Sequence, residues 1–439
     1  MNAPNGWRVA LLSDVCSVGP RDPALPETAP FVPMDAVKVG VREPAYYEPR
    51  GKRGSIRAKD NDLLFARITP CLENGKVSLL PPSSGPTGGS TEFLVVRPGT
   101  NVDPRYLYLW SLNPAVRERA KAEMTGTTGR MRLSRSALGA LPFPHPPLPE
   151  QRRIVETVEE HMAHLDAADA SLASAERRLS ALQDGVIRSA VLGQWALGPH
   201  LPSPLEAVGT NDGELEPLPP GWRWARLSEV ADVVGGVTKD SKKQGDPNYV
   251  AVPYLRVANV QRGSLNLDTV TTIRVAPHRA AALELEVGDV LLNEGGDRDK
   301  LARGWVWEGQ IPACIHQNHV FRARVRDVEI DPYFLSHAAN TIGGKWAERN
   351  GKQTTNLASI SLSMIKKMPV PVPPNGQSKQ IASEIALRLE GFARQSDAIS
   401  VAKRRSAVLR RAVLAAAFSG RLTTHADAVG SLPGAPADD

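Results

Sequence analysis

Between Pro149 and Pro199 the sequence contains no proline, and apolar residues return every seven positions at Val158, Leu165, Leu172, Leu179 and Val186. Small or apolar side chains stand three positions further on, at Ala168, Ala175 and Leu182. A seven-residue apolar return without a helix breaker predicts one long helix with a seam to bury, and the rest of the chain has to be organised around it. The same stripe reappears 227 residues later as Ile385, Phe392, Ile399 and Val413, with Ser406 as its one break. The entry repeats as well: Leu141-Pro142-Phe143-Pro144-His145-Pro146-Pro147 aligns with Met368-Pro369-Val370-Pro371-Val372-Pro373-Pro374 without a gap. Gly193 and Gly420 stand at the matching exits, where a helix C-terminus favours a left-handed residue. The chain is a tandem duplication.

The halves also open alike. Gly6-Trp7-Arg8-Val9 and Leu12-Ser13-Asp14-Val15 correspond to Gly221-Trp222-Arg223-Trp224 and Leu227-Ser228-Glu229-Val230, an offset of 215. Asp62-Leu63-Leu64 then matches Asp289-Val290-Leu291, and Asp103-Pro104 matches Asp331-Pro332, so the second half gains about a dozen residues before Gly288. The text between these landmarks reads as short strands such as Phe93-Leu94-Val95-Val96 and Val320–Val325, and Asp-Pro starts two further helices. The expected fold is α+β: two tandem α+β domains, each followed by a long helix, with the two helices pairing as an antiparallel coiled coil of pseudo-two-fold symmetry. The expected boundaries are 1–148 for the first domain, 149–195 for the first helix, and 196–220 for a Pro- and Gly-rich linker. The second domain takes 221–375, the second helix 376–421 and a disordered tail 422–439.

Charge is distributed unevenly along this plan. Residues 1–149 carry 19 basic and 13 acidic side chains, whereas the first helix, 150–195, carries 5 and 8. Residues 196–376 balance at 20 and 20, and the second helix, 377–421, carries 9 and 3. An acidic and a basic helix with matching seams attract each other. The three cysteines (Cys16, Cys71, Cys314) lie far apart with no CxxC pair, which excludes a disulfide scaffold and a cysteine-rich zinc module. No basic segment followed by an apolar one opens the sequence, and no apolar run approaches membrane-spanning length, so the expectation is a soluble, cytoplasmic protein.

Catalytic signatures are missing. No Gly-Lys pair sits in a Walker pattern and no GxGxxG follows a strand. Asn113-Pro114-Ala115-Val116 does not complete an Asn-Pro-Pro-aromatic motif. His161 and His164 lack a further ligand, and Asp297-Arg298-Asp299-Lys300 has Arg where a nuclease cluster needs an acid. What recurs is glycine-punctuated basic and polar loop text, the composition that approaches phosphates and base edges. The candidate DNA-binding residues are Lys52, Arg53, Arg57, Arg67, Arg130 and Arg132 in the first half. In the second they are Lys242, Lys243, Arg256, Arg298, Lys300, Arg303, Lys352 and Gln353. No catalytic or metal-binding residue is assigned.

This arrangement resembles the DNA-specificity subunit of type I restriction–modification systems. The resemblance rests on the paired Gly-Trp…Leu-Ser-Asp/Glu-Val opening, on Asp62–Lys76 followed by Ser90-Thr91-Glu92-Phe93, and on Val252–Val260, Gly288–Leu292 and Gln317-Asn318-His319-Val320. The proline run into Pro149-Glu150-Gln151-Arg152-Arg153-Ile154 is its strongest signature, and the second copy departs from it at Asn375-Gly376-Gln377-Ser378. The resemblance implies two target-recognition domains that each read half of a split site in double-stranded DNA. It also implies two methyltransferase subunits docked on the scaffold, using S-adenosylmethionine to methylate adenine. Translocating restriction subunits that use ATP can join them, and the chain itself is a non-catalytic subunit without a cofactor. Two rivals stand beside this reading. One is a self-contained methyltransferase or nuclease with a diverged site, against which the missing cofactor loops argue. The other is a coiled-coil assembly protein with no DNA role, for which the polar globules are too large.

Overall fold

The computed structural model describes residues 7–127, 129–326, 330–353 and 357–422. Both halves carry the same central sheet. In the first, strands Cys16–Val18, Phe93–Pro98, Leu63–Ala66 and Val77–Leu79 lie side by side in that order, all antiparallel. In the second, Ala231–Gly235, Val320–Val325, Val290–Asn293 and Gly304–Val306 repeat the order and the pairing. A second sheet in each half contains one parallel pair, Pro30–Val32 with Thr87–Gly89 and Val250–Leu255 with Ile315–His316. The proline runs are strands too. Pro142–His145 pairs with Arg8–Leu11 and Pro369–Val372 with Arg223–Arg226, in isolated two-stranded ribbons where a proline removes no bond from a central ladder.

The duplication reaches the polar interior. Asp62, fully buried, accepts from Arg97 Nε at 2.8 Å and Nη2 at 2.7 Å. Asp289, equally buried, accepts from Arg324 Nε at 2.7 Å and Nη2 at 2.8 Å. These bidentate pairs tie the turn before one sheet strand to its neighbour and satisfy a carboxylate that could not otherwise stay charged inside. Burial pushes the Asp62 carboxyl above the usual carboxylate range, and the bonds from Arg97 pull it back down. The helices Pro104–Leu112 and Pro332–Ala338 are both capped by the preceding aspartate: Asp103 accepts from the Arg105 and Tyr106 amides, Asp331 from those of Tyr333 and Phe334.

The two long helices run Leu148–Val191 and Gln377–Phe418, each starting and ending within four residues of the expected bounds. Gly193 and Gly420 adopt left-handed backbone, with φ of 68° and 72°. Where the second helix start departs in sequence, its job is kept: the Gln151 carboxamide accepts from the Asp103 amide at 2.9 Å, and the Ser378 hydroxyl accepts from the Asp331 amide at 3.0 Å. The chain divides into two compact units, residues 1–173 with 399–439, and residues 174–398, so each long helix contributes one stretch to each unit. In the first unit the stretches run antiparallel. Arg410 bonds Asp166 and Asp169 at 2.7 Å, while Leu414 and Phe418 pack with Ile154, Val155 and Val158. In the second, Ala190 and Val191 share a core with Ala382 and Ile385.

The buried seam is narrower than the periodicity suggests. The seven-spaced line from Val158 to Val186 is covered or half-covered, and Ser406, the break in the second stripe, is buried on it. Ala168, Ala175 and Leu182, three residues further on, are exposed. Residues 196–220, expected as a linker, pack as an irregular strap on the second domain. Asp212 accepts from Arg226 Nη1 and Nη2 at 2.9 and 2.8 Å and from Trp346 Nε1 at 2.9 Å. Of the expected tail, residues 423–439 lie outside the described residues.

Candidate nucleic-acid interface

Three of the candidate loops occupy one repeated element. In the first half, Arg132 bridges both Thr125 and Ile68, making a minimal three-stranded patch. In the second, Ser359 pairs with Lys352 and Gly295, which are the same three positions displaced by 227. The patch grows out of the central sheet by matched backbone bonds. Arg67 donates its amide to the Glu92 carbonyl at 2.9 Å and accepts from the Leu133 amide at 2.8 Å. Glu294 donates to His319 at 3.0 Å and accepts from Ile360 at 2.8 Å. Arg67, Arg130 and Arg132 therefore share one hairpin region, and Lys352 and Gln353 stand on its counterpart.

Around the first patch the side chains are cationic. Arg132 forms a bidentate pair with Glu92 at 2.6 and 3.0 Å, and these bonds hold the Glu92 carboxyl below the usual carboxylate range. Arg67 reaches into an open cleft of about 540 Å³ that Arg21, Arg57 and Arg135 also line, together with Thr91 and Phe93. Among the described residues lining it, the only carboxylate is Asp22, already bonded by Arg97 through both oxygens. The cleft can thus take an anion or an acceptor-rich base edge. Arg21 escaped sequence reasoning because no glycine-rich basic run surrounds it, and Arg135 because it stands three residues beyond the end of one, at Arg132.

The other candidates are placed differently. Lys52 and Arg53 are both exposed, but Arg53 is engaged by its surroundings: it stacks 4.3 Å from the Phe31 ring centroid, pairs with Glu48 at 2.7 Å and bonds the Pro49 carbonyl. It shapes the loop that presents Lys52. Lys242 and Lys243 sit exposed on a single turn, Ser241–Lys243, capped by Asp240. Arg298 bonds the Glu348 carbonyl and Lys300 pairs with Asp297, both on the loop after Gly296. Arg256 and Arg303 are half-buried, and the Nε of each is buried without a hydrogen-bond partner. Desolvation, with the Arg262 guanidinium nearby, lowers the Arg303 pKa. His161 and His164 are exposed, and the described residues hold no group of three metal-ligating side chains.

This geometry, a duplicated α+β domain whose copies are each followed by a helix of more than forty residues, is the fold of the type I specificity subunits. A chain from a type I restriction–modification system, studied for complex assembly and conformational transition, superposes with a TM-score of 0.72 at 20% identity, covering 96% of this chain and all of the other. The HsdS subunit from Thermoanaerobacter tengcongensis superposes with a TM-score of 0.57 at 21% identity, over 96% and 98% of the two chains. In sequence, the chain is 22% identical to the type I restriction enzyme EcoEI specificity subunit of Escherichia coli, over 87% of this chain and 77% of that protein. It is 24% identical to the EcoAI specificity subunit of the same species over 62% of this chain, which spans 58% of that relative's length. No family model matches the chain. In fold and in sequence the chain is thus similar to specificity subunits of type I restriction–modification systems.

Proposed function

We propose that the chain is the sequence-specific DNA-binding subunit of a type I restriction–modification complex, reading a bipartite site and scaffolding methyltransferase subunits. The observation that carries this is one backbone frame used twice with different polar side chains. Arg67, Glu92 and Arg132 in the first half become Glu294, His319 and Ser359 in the second, while the Asp–Arg pair beneath them is kept. A frame held constant under a variable surface suits two readers of different sequences. Residues 1–148 and 221–375 are the two target-recognition domains, each followed by one of the long helices. Exposed Lys52, Lys242, Lys243 and Lys352 suit phosphates, and Arg57, Arg67, Arg130, Arg132 and Gln353 suit base edges or phosphates. Arg298, Lys300, Arg256 and Arg303 support the surrounding loops, as Arg53 does.

Methyl transfer belongs to the partner subunits with S-adenosylmethionine, and ATP to any restriction subunits; the missing motifs in this sequence support that division. Such a complex works on DNA in the cytoplasm, and no helix among the described residues is long and apolar enough to cross a membrane. The test is equilibrium dialysis of the purified chain against labelled S-adenosylmethionine, with methyl transfer to duplex DNA assayed with and without the methyltransferase subunit. The chain alone should neither bind the cofactor nor transfer methyl groups, and the complex should methylate adenine. Cofactor binding or transfer by the chain alone would refute the proposal.

A further inference from the structure

The repeated frame aligns side chains that differ in chemistry at the same spatial position. At the end of the central strand stands Arg67 in the first domain and Glu294 in the second, each bonded through its backbone to the same two neighbours. Across from them stand Glu92 and His319, and on the hairpin Arg132 and Ser359. Arg135, whose guanidinium lies against Gly19 in the first domain, is replaced by Leu362, which faces Gly235 in the second. The first copy of the position therefore offers guanidinium donors. The second offers a carboxylate whose Oε2 meets His319 Nδ1 at 2.8 Å, and the His319 ring in turn contacts Asn318 Nδ2 at 3.2 Å. These polar groups stay partly exposed, with 44% of the Arg132 side chain, 27% of Glu92, 52% of His319 and 25% of Glu294 open to solvent.

Resting on the functional reading above, we infer that Arg67 and Glu294 are equivalent specificity-determining residues, each setting the base accepted at one position of its half-site. Arg67 selects guanine and Glu294 selects a base that presents an amino group. Guanidinium donors match the O6 and N7 acceptors of guanine, and a carboxylate accepts from cytosine N4 or adenine N6. Partners such as Glu92–Arg132 and His319 hold the surrounding groups in place, which base-edge recognition needs and phosphate contact does not.

The test uses the full chain in complex with its methyltransferase subunit, selecting from a randomised duplex DNA library followed by sequencing. Two variants are compared with wild type: Glu294→Gln, which keeps the shape of the original residue, and Arg67→Gln, which shortens the side chain and replaces the guanidinium with an amide. Arg67→Gln should move one position of the first half-site from guanine toward adenine. Glu294→Gln should change preference at one position of the second. Each change should be at least about fivefold, the lower end of what one bidentate contact discriminates. The other half-site should stay as in wild type, which also reports that the complex is folded, and if Arg67→Gln does not fold, Glu294→Gln decides alone. Unchanged preference at every position overturns the inference, whether affinity is kept or falls uniformly. A wild-type complex that selects no split consensus would instead overturn the functional reading itself.

Discussion

Replacing Arg97 by Leu should destabilise the first unit by about 3 kcal/mol, at the lower end of the cost of breaking a buried ion pair. The Asp62 side chain has no exposed surface, and the substitution removes its two bonds from Arg97, leaving, among the described residues, the Lys59 amide at 2.9 Å. The remaining amide, and the fifth of the Arg97 side chain that is exposed, place the cost at that lower end. For a unit of this size the melting temperature should fall by roughly 6–12 °C. The sign with pH follows from burial. Desolvation already raises the Asp62 carboxyl, and without Arg97 its folded-state pKa rises further above the unfolded value. The penalty is present in full above that folded pKa and is relieved as the pH falls through it. Differential scanning calorimetry of wild type and Arg97→Leu at pH 8 and pH 5 should show a smaller gap at pH 5. A shift below about 2 °C, or a gap that widens on acidification, would refute the argument.

Three further outcomes are expected. Gln151→Ala should cost about 3 kcal/mol in chemical denaturation, because it strips the Asp103 amide and the Asn101 and Pro146 carbonyls of a buried partner; Ser378→Ala, losing one bond to Asp331, should cost about 1 kcal/mol. Arg410→Ala removes the bonds to Asp166 and Asp169, whose side chains keep 71% and 41% of their surface open, so its cost should stay below about 1 kcal/mol and shrink in high salt. Replacing Lys52, Lys242 and Lys243 by Ala should weaken DNA binding across all sequences and flatten its salt dependence by about one unit of slope for each phosphate no longer neutralised, measured by titration at several salt concentrations.

The duplication and both long helices were legible because they rest on local rules, a seven-residue apolar return, absence of proline and a terminal glycine, that survive in one dimension. The Asp62–Arg97 and Asp289–Arg324 pairs were not, although all four residues lie in or beside segments that the repeat marks. Each pair joins residues 35 apart, and only strand pairing brings them together. Ser378 looks like a defect in the second helix start when read as sequence, yet its hydroxyl sits on the Asp331 amide, in the place of the longer Gln151. The Pro- and Gly-rich strap reads as a linker because its anchor, Asp212, bonds Arg226 and Trp346, 14 and 134 residues away, and no local pattern marks either contact. Of the candidate site, the basic loops were visible as composition. Which of them share a hairpin, that Glu92 belongs beside Arg132, and that Glu294 and His319 hold the matching positions in the second half, emerged only from the repeated frame.

The proposed function has one frame, used twice, read two independent half-sites. It is tested most directly by exchanging residues 1–148 for the corresponding region of a related specificity subunit and mapping methylated adenines across the host genome. One half of the methylated sequence should change to that of the donor while the other half stays as in the parent. A change in both halves together, or in neither, would contradict it.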